Sequence, residues 1–162
     1  MRVRDIMTKD PICCRPDTNL AAAAELMWNN DCGVLPVVED GKLSGVITDR
    51  DICIATGTNK RPAADIAVEE AATPEVQVCA PDDDLHVAMA IMRRAKVRRL
   101  PVVNDGGRVE GILALNDIVL SAQQPQWPIR YEEVMDTLKA VSEHRSPRVA
   151  PKIWPPIPVA VA

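Results

Sequence analysis

The chain matches itself. With residues 3–41 set against residues 68–106 at a constant offset of 65, Val3 meets Val68, Thr8 meets Thr73, Cys14 meets Cys79 and Pro16-Asp17 meets Pro81-Asp82. Further on, Leu20 meets Leu85, Met27 meets Met92, and Leu35-Pro36-Val37-Val38 meets Leu100-Pro101-Val102-Val103. One inserted glycine, Gly107, raises the offset to 66, after which Gly45 meets Gly111 and Asp51-Ile52 meets Asp117-Ile118. An ungapped match of this length, with its single insertion in a turn, identifies a duplicated unit. A half of about 60 residues buries too little apolar surface to stand alone, so the two copies are expected to pack on each other.

Each copy reads as β-α-β-β-α. A short apolar strand (Ile12 to Arg15; Val76 to Cys79) leads to a helical pattern at Leu20, Ala23, Ala24, Met27 and Trp28, with Asp17 or Thr18 as the expected N-cap. Leu85, Ala88, Met89 and Met92 repeat that pattern after Asp82 to Asp84. Val34 to Val38 and Leu43 to Thr48 form a hairpin through Glu39-Asp40-Gly41, and the second hairpin turns through Asn104 to Gly107. A short helix then begins at Asp49 in one copy and near Asn116 in the other. The expected class is mixed α/β (α+β). Two three-stranded sheets, each with helices on one face, would pack sheet to sheet about a pseudo-twofold axis and leave two equivalent clefts.

The expected organisation is a first repeat at 1–56, a linker at 57–67 and a second repeat at 68–122, followed by a C-terminal helix and Pro-rich tail over 123–162. The helix is placed at 129–144 by a stripe at Tyr131, Val134, Met135, Leu138 and Val141. The tail carries Pro147, Pro151, Pro155, Pro156 and Pro158, which exclude helix and central strand, and Ile153, Trp154 and Ile157 are expected to dock on the body.

Composition narrows the function. With 19 basic against 23 acidic residues and only three Trp, one Tyr and no Phe, there is neither a basic track for a phosphate backbone nor a platform for stacking bases. No nucleic-acid partner is expected. No segment approaches the roughly 20 apolar residues of a membrane span, and Met-Arg-Val-Arg-Asp does not open a signal peptide, so a cytoplasmic protein without a membrane partner is expected. Cys13, Cys14, Cys32, Cys53 and Cys79 show no zinc-ligand spacing and are expected to be reduced core residues, with no metal site.

The chemistry gathers where a strand runs into a helix, at Gly45-Val46-Ile47-Thr48-Asp49-Arg50-Asp51. Unpaired N–H groups and the positive helix end favour an anion there. Thr48 can cap the helix or bond a phosphate oxygen. Asp51 can accept both hydroxyls of a ribose or serve simply as a first-turn acid. Arg50 is a phosphate candidate or a surface partner of Asp49 or Asp51.

The pattern Gly-apolar-apolar-Thr-x-x-Asp, preceded by Leu-Pro-Val-Val and doubled about 65 residues apart, resembles the adenosine-binding signature of cystathionine β-synthase (CBS) domains over residues 1 to about 120. The resemblance implies a non-enzymatic regulatory module that senses energy state or a metabolite. Its expected ligand is AMP, ADP, ATP, NAD or S-adenosylmethionine, with no catalytic cofactor. It implies a homodimeric disc and an unidentified target protein. By the same resemblance Thr48 would hold phosphate and Asp51 ribose, while Val34, Pro36 and Cys13 border the adenine. The second copy keeps Asp117 but has Ala114 in place of the threonine, so Arg98 and Arg99, which stand just before Pro101, are its candidate phosphate contacts. Their alternative is a solvated patch with Arg93, Arg94 and Lys96. Loss of ligand binding, leaving an interaction module, is the competing reading. His86 and His144 lack a recognisable nucleophile partner, so no catalytic residue is expected.

Overall fold

Asp40 and Gly41 adopt φ values of 49° and 77°, the left-handed pair that a two-residue hairpin with the proper strand twist requires. They join the two strands of the first hairpin. The computed structural model describes residues 1–122 and 129–143. In chain order its strands and helices are β1 (Thr8–Lys9), α1 (Leu20–Asn29), β2 (Val34–Glu39), β3 (Lys42–Thr48), α2 (Asp49–Asn59), α3 (Leu85–Ala95), β4 (Arg99–Val103), β5 (Val109–Ala114), α4 (Leu115–Ser121) and α5 (Tyr131–Ser142). The turn at Asp40-Gly41 therefore links β2 to β3.

β2 pairs antiparallel with β3, and β4 with β5, with matching register irregularities at Val37/Val38 and Val102/Val103. The strands expected at Ile12 to Arg15 and Val76 to Cys79 shrink to single parallel bridges, Cys14 with Val37 and Cys79 with Val102. The proline at the centre of the neighbouring strand explains the shared geometry. Pro36 and Pro101 have no N–H to donate, but their carbonyls accept from Cys14 N (3.0 Å) and Cys79 N (3.2 Å). Val34 to Val37 are buried without interruption, so both faces of β2 are covered, as sheet-to-sheet packing demands.

The leading segments of the two repeats are exchanged. Val3 N donates to Asp83 O and Arg4 N to Pro81 O, both at 3.0 Å, while Val68 N donates to Thr18 O at 2.7 Å and Glu69 N to Pro16 O at 3.0 Å. Every one of these bonds maps onto its counterpart at the offset of 65. The first residues of repeat one thus complete repeat two: β1 pairs with β5, and Val3 is fully buried among Cys79, Leu85 and Met89. Residues leading into repeat two return the exchange: Ile66 and Val68 are fully buried with Leu20, Leu35 and Ile47, and Thr73 bridges Val46. The stretch expected to be a linker therefore contains the end of α2 and, at Ile66, part of a core.

The glycines of the two corners make this exchange possible. A Cβ on Gly45 would stand 3.0 Å from Thr73 O, and one on Gly111 would stand 2.8 Å from Thr8 O. At Gly111 the crossing backbone lies too close for a side chain unless something shifts, and at Gly45 it leaves no room to spare.

Helix starts differ slightly from expectation. Asn19, rather than Asp17 or Thr18, caps α1 by accepting from Ala22 N at 2.9 Å; Thr18 instead accepts from Arg15 N at 3.0 Å in the preceding turn. Asp84 caps α3. Leu20, Ala23 and Met27 are buried as expected, but Ala24 is exposed and Trp28 is 86% exposed. Cys14 and Cys79 are buried; Cys13 and Cys32 are half-buried and Cys53 is exposed, which corrects the expectation of five core thiols. α5 buries Val134, Thr137 and Val141 while Tyr131, Met135 and Leu138 face outward, so only two of the five residues of the expected stripe pack. The Pro-rich tail and His144 lie outside the described residues.

Candidate functional site

Thr48 ends β3 and caps α2. Its Oγ1 accepts from Asp51 N at 3.2 Å and donates to Asp51 Oδ2 at 2.6 Å, while Thr48 N donates to the same Oδ2 at 3.0 Å. This reciprocal capping box explains why the helix starts here, and it ties both residues to one another. Asp51 makes no ion pair among the described residues, and its Oδ1 has no hydrogen-bond partner among them. One carboxylate oxygen is structural and the other is available.

The second corner repeats the geometry without the hydroxyl. Asp117 Oδ2 accepts from Ala114 N at 2.7 Å, and no side chain caps α4. Burial pushes the Asp117 carboxyl above the ordinary aspartate range, against the opposing pull of the Ala114 N–H and the positive charge of Arg99. A half-desolvated carboxylate whose Oδ1 has no hydrogen-bond partner among the described residues is a strong acceptor for hydroxyl donors.

The remaining candidates divide into two groups. Val34 pairs across the ladder with Thr48, Pro36 with Val46, and Pro101 with Ile112; all three are buried and shape the strands beside the corners. Cys13 is half-buried next to the Cys14 bridge, with its thiol on Pro11 O at 3.3 Å. Burial raises the Cys13 thiol above its ordinary value. Arg50 is exposed and forms no ion pair among the described residues, so neither Asp49 nor Asp51 holds its guanidinium. Arg98 is exposed and its carbonyl accepts from Leu115 N at 2.9 Å.

Arg99 crosses between the repeats. It pairs with Ala114 in the ladder, yet its guanidinium reaches the Gly33 and Asp49 side of repeat one. The basic patch expected around it is divided. Arg93 donates to Thr137 Oγ1 at 2.9 Å and Lys96 pairs with Glu143 at 2.7 Å, so both serve α5 rather than solvent.

Two cavities flank these features. One of about 450 Å³ opens between α1 and α2, with Trp28, Gly33, Asp49 and Arg99 in its wall. A smaller one of about 250 Å³ lies where the repeats meet, between Leu43, Val78 and Gly107. Neither is lined by Thr48 or Asp51 themselves. The first was hidden from sequence reasoning because Ala24 and Trp28 fit an apolar helix stripe equally well buried or open.

His86 is better partnered than its sequence context suggested. Its Nδ1 stands 2.6 Å from Asp84 Oδ1 and its Nε2 3.3 Å from Glu133 Oε2. No Cys or Ser nucleophile bonds it among the described residues, so the arrangement fastens α5 to α3. No cluster of metal ligands occurs among the described residues, and no helix among them is long and apolar enough to cross a membrane.

Comparison with known proteins agrees with the duplicated architecture. The CBS domain family model matches residues 3–56 and again 68–122. The CBS domain-containing protein YhcV of Bacillus subtilis is 35% identical over 119 residues, covering 74% of this chain and 84% of its own length. Inosine-5'-monophosphate dehydrogenase of Mycobacterium leprae is also 35% identical, over 74% of this chain but only 22% of the dehydrogenase. The chain therefore spans about a fifth of that enzyme. Among solved structures, the CBS domain pair of protein MJ0100 in complex with 5'-methylthioadenosine and S-adenosyl-L-methionine superposes with a TM-score of 0.69 at 30% identity, covering 76% of this chain and 98% of that one. The protein CBSX2 in complex with AMP gives 0.65 at 29% identity, covering 75% and 95%. Two family matches on two symmetric, strand-exchanged repeats lead to one conclusion: the chain belongs to the CBS domain family, as a tandem pair.

Proposed function

We propose that this chain is a non-enzymatic regulatory module that binds an adenosine-containing ligand at its strand-to-helix corners. The observation that carries the reading is that Asp51 and Asp117, both half-buried, each spend one oxygen on the helix cap and keep the other unbonded among the described residues. A ribose diol is a matching donor pair. Neighbours solved with AMP, S-adenosylmethionine and methylthioadenosine support that ligand class.

In this reading Asp51 and Asp117 take ribose, while Val34, Pro36 and Cys13 at one corner, and Pro101 at the other, wall the base. Thr48 and Arg50 serve a phosphate at the first corner. At the second, Ala114 cannot, and Arg98 supplies the charge, while Arg99, whose guanidinium reaches the Gly33 and Asp49 side, acts on Asp117 only through its field. Binding at Thr48 requires its hydroxyl proton to leave Asp51 Oδ2 for the ligand. The repeats are taken as 1–56 and 68–122 with 57–67 between them and 123–162 appended. The working form is a cytoplasmic homodimer whose packing, read by a target protein, shifts only insofar as ligand binds two arrangements unequally.

Calorimetric titration with AMP, ATP, NAD and S-adenosylmethionine tests the site. In Asp51→Asn the cap acceptor survives while the charge is lost. Affinity at the first corner should fall about ten- to hundredfold, the worth of a hydrogen bond to a charged group. Absence of binding by the wild-type protein to any of the four would overturn the proposal in favour of an interaction module, the reading that Ala114 favours.

A further inference from the structure

Repeat one holds a gap that its sibling lacks. Asp49 Oδ2 and an Arg99 guanidinium nitrogen stand 3.1 and 3.7 Å from the point that a Gly33 Cβ would occupy. They flank that point from two sides, yet they form no ion pair among the described residues. Gly33 is not needed there for its backbone: among the glycines only Gly41 and Gly107 adopt a positive φ. What the glycine supplies is open space between two opposite charges. Nor does the fold demand this set, since repeat two carries Arg98 for Gly33, Leu115 for Asp49 and Lys96 for Asp31, and the counterpart of Arg99 is Val34.

The gap opens into the cavity of about 450 Å³, where Met27, Trp28 and Ile52 add apolar surface and Asp31 a second carboxylate. Asp31 and Arg99 bond no side chain among the described residues, and Asp49 spends only Oδ1, on Arg50 N at 2.7 Å. Of the other charges on α1 and α2, Glu25, Arg50 and Asp51 do not line the cavity. Such a wall sorts ligands by charge. A pure anion drawn to Arg99 meets the carboxylates of Asp31 and Asp49, and a pure cation drawn to those meets Arg99. A molecule with both signs on neighbouring atoms satisfies each.

We propose that this cavity binds the zwitterionic end of an α-amino acid with an apolar side chain. Arg99 takes the carboxylate, a pairing for which the guanidinium fork is shaped, and Asp49 and Asp31 take the ammonium. The side chain lies along Met27, Ile52 and the indole of Trp28, which is 86% exposed and gains cover. The volume falls within the roughly 300–1,000 Å³ of small-molecule sites. This site is separate from Asp51 and Asp117, and it stands whether or not those two take ribose. Its ligand chemistry has two sources: a free amino acid, or the aminoacyl end of an S-adenosylmethionine held at the neighbouring corner.

The Trp28 indole N–H resonance, assigned by its loss in Trp28→Phe, is followed by NMR while the full-length chain is titrated. The probes are L-methionine, its analogue without the carboxylate, its analogue without the amine, and S-adenosylmethionine. Methionine should give a saturable shift that either analogue matches only at about tenfold higher concentration, as loss of a charged hydrogen bond produces. Arg99→Gln and Gly33→Ala should weaken the response similarly. The new Cβ of Gly33→Ala meets only the far end of the Asp49 side chain and the Arg99 guanidinium, and melting curves check that both variants fold. A methionine response that persists in Asp51→Asn assigns a free amino acid. A response confined to S-adenosylmethionine and lost in Asp51→Asn assigns the aminoacyl end of a corner ligand, and either result upholds the zwitterion site. Equal responses to methionine and both analogues would overturn it, as would no saturable response to methionine or S-adenosylmethionine. AMP titrated into the same sample reports on the corners separately.

Discussion

Replacing Gly111 by alanine tests whether the exchanged strand dictates a residue of the corner motif. The new Cβ would meet Met7 Sδ at 2.6 Å and Thr8 O at 2.8 Å. The thioether can swing aside, but the carbonyl belongs to β1, which is bound to β5 at Thr8–Ile112 and Lys9–Gly111. Backbone must move, an overpacking cost of about 1–3 kcal/mol. Without the clash the same change would stabilise by about 0.4–1 kcal/mol, because alanine has fewer unfolded conformations to lose. The sign therefore decides the matter. For a chain of this size 1 kcal/mol corresponds to roughly 2–4 °C in Tm, so Gly111→Ala should melt about 2–12 °C lower by calorimetry. Gly57 is the control: it lies inside α2, where an added Cβ meets nothing within 4 Å, and Gly57→Ala should melt higher. Equal stabilisation by both substitutions would refute the strand-crossing account.

Asp117→Asn should hold or raise stability near neutral pH. The folded carboxyl titrates above its unfolded value, so the native state binds the proton more tightly and stability falls as pH rises through that interval. Urea melts at pH 4 and pH 7 should show wild type losing ground to the variant at the higher pH, and a variant gap independent of pH would be contrary. Ala114→Thr should cap α4 as Thr48 caps α2, adding about 1 kcal/mol in the same melts and strengthening nucleotide binding at the second corner. Burial pushes the thiols of Cys14 and Cys79 up to about 11 and 12, so both should resist alkylation at pH 8 in the native protein while Cys53 reacts; prompt labelling of Cys79 would contradict its packing.

Much of the architecture was legible because duplication reports a unit twice. The hairpins came from Asp40-Gly41 and Asn104 to Gly107, and the corners from strands ending at Thr48 and Ala114. α5 was legible from its stripe. The exchange of leading segments was not: Val3 and Val68 look alike, and periodicity says that a residue is buried without saying in which core. The same limit hid Trp28. A helix stripe wide enough to include it describes repeat two, where α5 provides cover, but repeat one has no described helix to match. The corner residues were visible, whereas the spending of Thr48 on Asp51 depends on rotamers that no spacing encodes. Arg99 was sought as a ligand for its own repeat, yet it reaches the other, because its strand begins at the seam.

Since each repeat is finished by a piece of its sibling, the pair behaves mechanically like clasped hands. A cut in the peptide between α2 and Ile66 would leave both halves interlocked, and neither could depart without pulling a strand or a buried valine out of the other. Strain raised at one corner is thereby delivered to the opposite sheet through covalent chain, with Gly45 and Gly111 as the two points where the grips touch.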